Sequence, residues 1–175
     1  RTPSNSLYVE FFDACGANVN PMNFSEVYNA LQLNTLDGQE NPVDVPATNN
    51  FYEVQKYISA TNHIADAWVV GMNTTKLSGL SEEQQNALRQ AAEECQQWYV
   101  DYQDEKDSEM LKLLTDNGME YNELSEEGFN QFVEISQSLY PTFKTLVEND
   151  ELFDTTVEFC GKAQSSPFSK RSIIG

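Results

Sequence analysis

Positive charge is scarce in this sequence: ten Lys and Arg stand against 28 Asp and Glu, for a formal charge of −18 and a pI near 4.1. A field of that sign repels polyanions at long range, which excludes nucleic acid and anionic membrane surfaces as natural partners. An anionic small ligand would have to be held by local donors working against the same field, so each cation becomes informative. Histidine occurs once, at His63, and arginine at Arg1, Arg89 and Arg171 alone. No run approaches the roughly 20 apolar residues that a bilayer span requires. Cysteine is sparse as well: Cys15, Cys95 and Cys160 are far apart, odd in number and without metal-ligand or C-x-x-C spacing. They read as mostly buried small hydrophobes, with one disulfide allowed and nothing in the spacing to support it. No signal-peptide pattern opens the chain, and a first residue of Arg1 rather than Met reads as a processed or truncated product.

Catalytic signatures are missing too. There is no G-x-S-x-G, no H-E-x-x-H and no P-loop. A catalytic histidine needs an orienting partner and a nucleophile or substrate within reach, so the lone His63 reads as a cap or as a packed, hydrogen-bonded residue. The acidic pairs Glu82-Glu83, Glu93-Glu94 and Asp104-Glu105 lack the spacing of a calcium loop and read as a solvated helix face. No metal, no other cofactor and no enzymatic activity are expected. The triplets Asn23-Phe24-Ser25 and Asn73-Thr74-Thr75 match a glycosylation acceptor but are too short to carry weight.

What is present suits one well-packed unit: 175 residues, 39% hydrophobic and 11% aromatic. Leu7 to Ala14 is apolar at helical spacing and stops at Gly16. The stretch Ala17 to Met22 predicts a short strand, and Asn23 with Glu26 a capping box ahead of a helix that buries Val27, Ala30 and Leu31. A helix over 50–59 and a buried strand holding Trp68, Val69 and Val70 follow. Such alternation argues for an α/β architecture. Ser81 and Gln84 open a helix whose apolar positions keep their spacing as far as Asn117-Gly118, about 35 residues or ~50 Å. A rod of that length is expected to bridge two lobes, and its aromatic stripe Trp98, Tyr99, Tyr102 reads as core between helices. Met119 to Leu124 predicts a short strand, Ser125 a helix cap, Pro141 a kink or stop, and Asp150 to Cys160 a last helix. The chain divides into 1–80, an α/β ligand-binding portion; 81–163, the long bridging helix with a C-terminal helical segment; and 164–175, a loose tail.

One string is harder to explain by packing alone. In LDGQENPVDVPATNNFYEVQKY, Leu36 to Tyr57, a turn at Asp37-Gly38 runs into the polar trio Gln39, Glu40, Asn41 and then Pro42. Pro42 pushes Asn41 towards extended geometry, from where its side chain could donate to a ligand oxygen or satisfy backbone groups in the turn; the spacing leaves those two readings even. Arg89 sits among acids on the long helix and reads as a surface ion pair. Arg1 precedes Thr2-Pro3, an extended context, and its guanidinium offers a planar fork that matches a carboxylate in two parallel hydrogen bonds.

Together RTP, PMNFSEVYNALQLNTLDGQENP and NNFYEVQKY, in that order, resemble the DctP-type solute-binding proteins of TRAP (tripartite ATP-independent periplasmic) transporters. The resemblance is strong over 1–73 and looser beyond. It implies a periplasmic solute-binding-protein-like clamshell of α/β class, here one lobe plus the long C-terminal helices, because the chain begins where the second lobe of the family begins. Weak or no solute binding is therefore expected of this chain alone. The family binds small organic acid anions, C4-dicarboxylates and uronic or sugar acids among them, outside the cytoplasm, in the periplasm or as a cell-surface lipoprotein, and delivers them to TRAP membrane permease subunits. Carried over by motif, Arg1 is implied to bind the ligand carboxylate, Phe24 to pack against the ligand and Asn41 to hydrogen-bond it; Ser4, three residues after the arginine, is implied more weakly. Asn34 departs from a common family glycine and Thr2 from a common valine. A ligand-sensing domain of a signalling system would use the same fold and is the alternative.

Overall fold

The computed structural model describes residues 1–64 and 69–164. Its order follows from local signals at almost every helix end. In α1 (Ser6–Ala14) the Asn5 side chain accepts from Leu7 N, satisfying one of the donors that a first turn leaves orphaned, and the chain leaves through Gly16 at φ +87°. Helix α2 (Phe24–Gln32) buries Val27, Ala30 and Leu31, the stripe its spacing predicts. Its Asn23 cap makes no side-chain hydrogen bond, so the capping box expected there is absent. Asn34 takes φ 54° just beyond it, a left-handed position that glycine fills without strain and that asparagine tolerates better than other side chains.

Helix α3 (Asp44–Thr48) and a single 3-10 turn (Phe51–Glu53) lead into β1 (Tyr57–Ala60). The helix expected over 50–59 is thus one turn followed by a strand. Phe51 and Val54 are three residues apart and mimic a helical face, but β1 is claimed by parallel pairing with β2 (Glu120–Glu123), in register Tyr57↔Glu120 to Ala60↔Glu123. The strand expected at Ala17 to Met22 is reduced to one parallel bridge, Thr2↔Pro21. Val69 and Val70 are exposed and outside any strand, contrary to the buried strand expected there, and Trp68 lies outside the described residues.

After α4 (Thr74–Ser78), the full capping box of Ser81 and Gln84 starts α5 (Glu82–Asp116), 35 residues that end at Asn117 and Gly118, φ +93°. Its last turns join the core: Leu114, with Met110 and Leu111 beside it, packs on Val43, Ala47 and Met119. A second cluster, Val27, Leu31 and Phe51, lies under Met22, Tyr28, Leu36 and Val54. The other end of α5 is bare, every residue from Asn86 to Tyr102 being exposed. Trp98 and Tyr102 stack on each other, with centroids 4.7 Å apart, rather than filling a core between helices as expected. Pairs such as Gln90–Glu94 and Gln97–Asp101, one turn apart, support this stretch from within. Arg89 there donates to the Gln85 carbonyl instead of pairing with an acid.

Ser125 caps α6 (Glu126–Ser138), Pro141 sits in the first turn of α7 (Tyr140–Val147), where its missing N–H costs nothing, and α8 (Asp150–Gln164) runs four residues past the predicted end. Lys144 clasps Asp154 at 2.8 Å and ties α7 to α8. Phe132 of α6 meets Phe11 of α1, returning the C-terminal helices to the first. The expected tail, beyond Gln164, lies outside the described residues. Among those residues no helix is long and apolar enough to cross a membrane.

The cysteines depart from expectation. All three are free thiols, Cys95 and Cys160 exposed and Cys15 half-buried. Burial pushes the Cys15 thiol pKa up, and the thiolate is the nucleophile. In the native chain, titration with an aromatic disulfide reagent near pH 8 should therefore show two fast thiols and a slow third. Three equally slow thiols would contradict the exposure of Cys95 and Cys160.

Candidate functional site

The first residues are held as an extended segment against 21–22. Thr2 is almost fully buried, its carbonyl accepts from Met22 N at 3.2 Å, and its bridge to Pro21 fixes the direction of Arg1. The Arg1 backbone nitrogen donates to Gly38 O at 2.9 Å and its Nε to Met22 O at 3.1 Å. With Nε committed, the plane of the guanidinium is set. Its terminal nitrogens, the fork that suits a carboxylate, make no hydrogen bond among the described residues. The group lies 5.9 Å from the centre of the Phe24 ring, inside the range of a cation–π contact. Burial works against the charge of Arg1 and lowers its pKa, while the nearby Glu40 carboxylate works the other way.

Phe24 is itself supported. Its ring stacks on Phe51, 6.0 Å between centroids, and Phe51 is buried in the second core cluster against Tyr28. Its outer face stays exposed, so an apolar wall stands beside a cation.

The bond from Arg1 to Gly38 pins the 37–41 turn beside the same segment. There Asn41 is half-buried and donates its side-chain amide to Gln39 Oε1, and Gln39 Nε2 donates to Gln55 Oε1 at 3.3 Å. Of the two readings left even for Asn41, backbone satisfaction is not the bond it makes. Ser4 is exposed and makes no hydrogen bond among the described residues, so it does not join Arg1 and Phe24 in contact.

Glu40 and His63 are neighbours that sequence reading did not connect. His63 is packed, as expected: its ring stacks on Phe11 at 5.8 Å, meets Phe12 edge-on at 5.1 Å and shares a 2.7 Å hydrogen bond between Nδ1 and Thr61 Oγ1. Nε2 faces Glu40 Oε2 at 3.6 Å, too long for a hydrogen bond, and makes none. The pair is only 13% and 12% exposed. The signal that could have found it was the acid inside an otherwise amide-rich trio. Among the described residues no three His, Cys, Asp or Glu side chains converge as metal ligands would.

Comparison with known proteins adds the following. Residues 1–146 match the family model described as bacterial extracellular solute-binding protein, family 7. The chain is 31% identical over 143 residues to the sialic acid-binding periplasmic protein SiaP of Vibrio cholerae, covering 82% of this chain and 44% of that protein. It is 41% identical over 95 residues to the 2,3-diketo-L-gulonate-binding periplasmic protein YiaO of Escherichia coli, covering 54% of this chain and 29% of that one. The crystal structure of a TRAP periplasmic solute-binding protein of Haemophilus influenzae with bound L-gulonate superposes with a TM-score of 0.79 at 30% identity, over 90% of this chain and 52% of that one. The chain therefore has part of the clamshell solute-binding-protein fold, and it spans between 29% and 52% of the length of these proteins.

Proposed function

Since the chain belongs to family 7 of the bacterial extracellular solute-binding proteins, we propose that it is the part of a TRAP receptor that grips the carboxylate of a small organic acid outside the cytoplasm. The captured acid, of the sugar-acid, uronic or C4-dicarboxylate class, passes to TRAP membrane permease subunits, and no chemical step is performed on it. The observation that carries this reading is the state of Arg1: a half-buried guanidinium, oriented through Nε, with its fork unengaged and an aromatic wall 5.9 Å away. A carboxylate meeting the fork forms two charge-assisted hydrogen bonds in surroundings that already penalise the uncompensated cation. Phe24 then covers the carbon skeleton, and Asn41 takes an oxygen by its amide. Ser4 lies close enough in sequence to add a polar contact once a ligand is present. The acid relatives named above support the ligand class: sialic acid, 2,3-diketo-L-gulonate and L-gulonate all carry a carboxylate on a hydroxylated carbon skeleton.

Residues 1–80 would form the ligand-binding portion, and within 81–163 α5 (Glu82–Asp116) would span towards a facing lobe while 117–163 support it. The bare stretch of α5 favours this division, since its exposed Leu88, Trp98, Tyr99 and Val100 have apolar area to bury. The same family supports localisation in the periplasm, with a cell-surface lipoprotein as the other form of the proposal.

Calorimetric titration of the full gene product with L-gulonate and sialic acid, and with uncharged galactose, tests the proposal. At least one acid should bind in the micromolar range while galactose gives no heat. Equal binding of the uncharged sugar would remove the carboxylate grip from the account.

A further inference from the structure

We propose that Gln39 and Gln55 are positioning residues, joined to Asn41 in a head-to-tail relay of side-chain amides that selects which edge of Asn41 a bound acid meets. The inference rests on the reading of Asn41 as a ligand contact.

An asparagine amide can turn over about its last torsion at almost no steric cost, because its oxygen and nitrogen ends are nearly the same size; only the partners decide. Here Asn41 Nδ2 donates to Gln39 Oε1, and Gln39 Nε2 donates to Gln55 Oε1. Turning Asn41 over would set its oxygen against the Gln39 oxygen, two acceptors face to face. Turning Gln39 over would set two nitrogens together at one end and two oxygens at the other. Two arrangements satisfy all three side chains, the observed one and the one with every amide reversed together, so no single amide can turn over alone. In the observed direction, which an acceptor-only Gln55→Glu retains and which it denies to the reversed one, each bond polarises the next. One N–H of Asn41 is consumed in the relay. The other remains to donate to a ligand oxygen, which makes Asn41 a donor towards an acid.

The far end is anchored by the fold. Gln55 follows the 3-10 turn at Phe51–Glu53, its own N–H bonded to Phe51 O at 2.8 Å, so the same turn that places Phe51 under Phe24 also places Gln55 under Gln39. Its side chain borders a surface cleft with Leu31, Asn34 and Tyr52, where substitution leaves the core closed. None of the three amides ionises in water, so the orientation persists across the pH range of an extracytoplasmic space.

Two substitutions at Gln55 separate the roles. Gln55→Met removes the acceptor at similar length, and Gln55→Glu keeps it. In the nitrogen-15-labelled chain the side-chain amide signals of Asn41 should shift, and exchange with water about threefold faster or more, in Gln39→Met and Gln55→Met, and stay near wild type in Gln55→Glu. In the full gene product Gln39→Met should weaken L-gulonate or sialic acid about three- to tenfold, the size of one net hydrogen bond, and should cost nothing further once Asn41 is alanine. Asn41 signals indifferent to Gln55→Met, or a Gln39→Met penalty undiminished in the Asn41→Ala background, would overturn the relay. Failure of the wild type to bind either acid would instead remove the ligand reading, and the amide signals would still decide the relay.

Discussion

In the full gene product Arg1→Ala is expected to weaken binding of every organic acid by about thirtyfold or more, while leaving the thermal unfolding of the unliganded protein nearly unchanged. Truncating one partner of a desolvated, hydrogen-bonded charge pair costs about 2–5 kcal/mol, and here the carboxylate left behind would face a molecule of charge −18. Little is lost without ligand, because the guanidinium makes one hydrogen bond, to Met22 O, and the backbone bonds of Arg1 and Thr2 survive the substitution. Arg1→Lys keeps the charge and discards the planar fork, so it should recover only part of the affinity. Titration of both variants with L-gulonate and sialic acid reads the result. An Arg1→Ala protein that binds as before would take Arg1 out of the site.

The second large effect falls on stability. Phe51→Ala should destabilise the fold by about 3–5 kcal/mol, the range for emptying a buried phenylalanine site. Phe51 is 1% exposed, joins Val27 and Leu31 in one cluster and carries the rings of Phe24 and Tyr28 on its own. It also begins the turn that sets Gln55, since the Phe51 carbonyl accepts from both Val54 N and Gln55 N. The loss should therefore reach the ligand wall as well as the core. Phe51→Leu keeps most of the volume and loses the stacking, so its cost should stay near ~1 kcal/mol. Urea unfolding of the three proteins measures this, and a Phe51→Ala midpoint equal to wild type would mean that the ring is not buried as described.

Most helices could be placed from short-range signals, and the reason is physical. The Ser81 box, the Ser125 cap, Gly16 and Gly118 at left-handed exits, and Pro141 in a first turn act on backbone groups within about four residues of themselves. The misplaced elements share the opposite property. Residues 57–60 carry no strand signal strong enough to outweigh the helical spacing of Phe51 and Val54, and their partner strand lies beyond α5. The exposed aromatics of α5 and the unpaired Val69 and Val70 show the same thing from the other side: an apolar residue states a preference for burial, and only the surrounding chain supplies the cover.

For the site, the sequence by itself determined the ingredients: few cations in a strongly acidic chain, an arginine ahead of a proline, an amide held by another proline, a phenylalanine at a helix start, and motif order sufficient for the family. Only the tertiary structure decided who meets whom. It set Arg1 on Gly38, 37 residues away, and Gln39 on Gln55, 16 residues away; it also put Glu40 against His63, and Phe24 on Phe51. Caps and periodicity are written in near neighbours, whereas such meetings depend on the path of the whole chain between them, so no local pattern could have contained them.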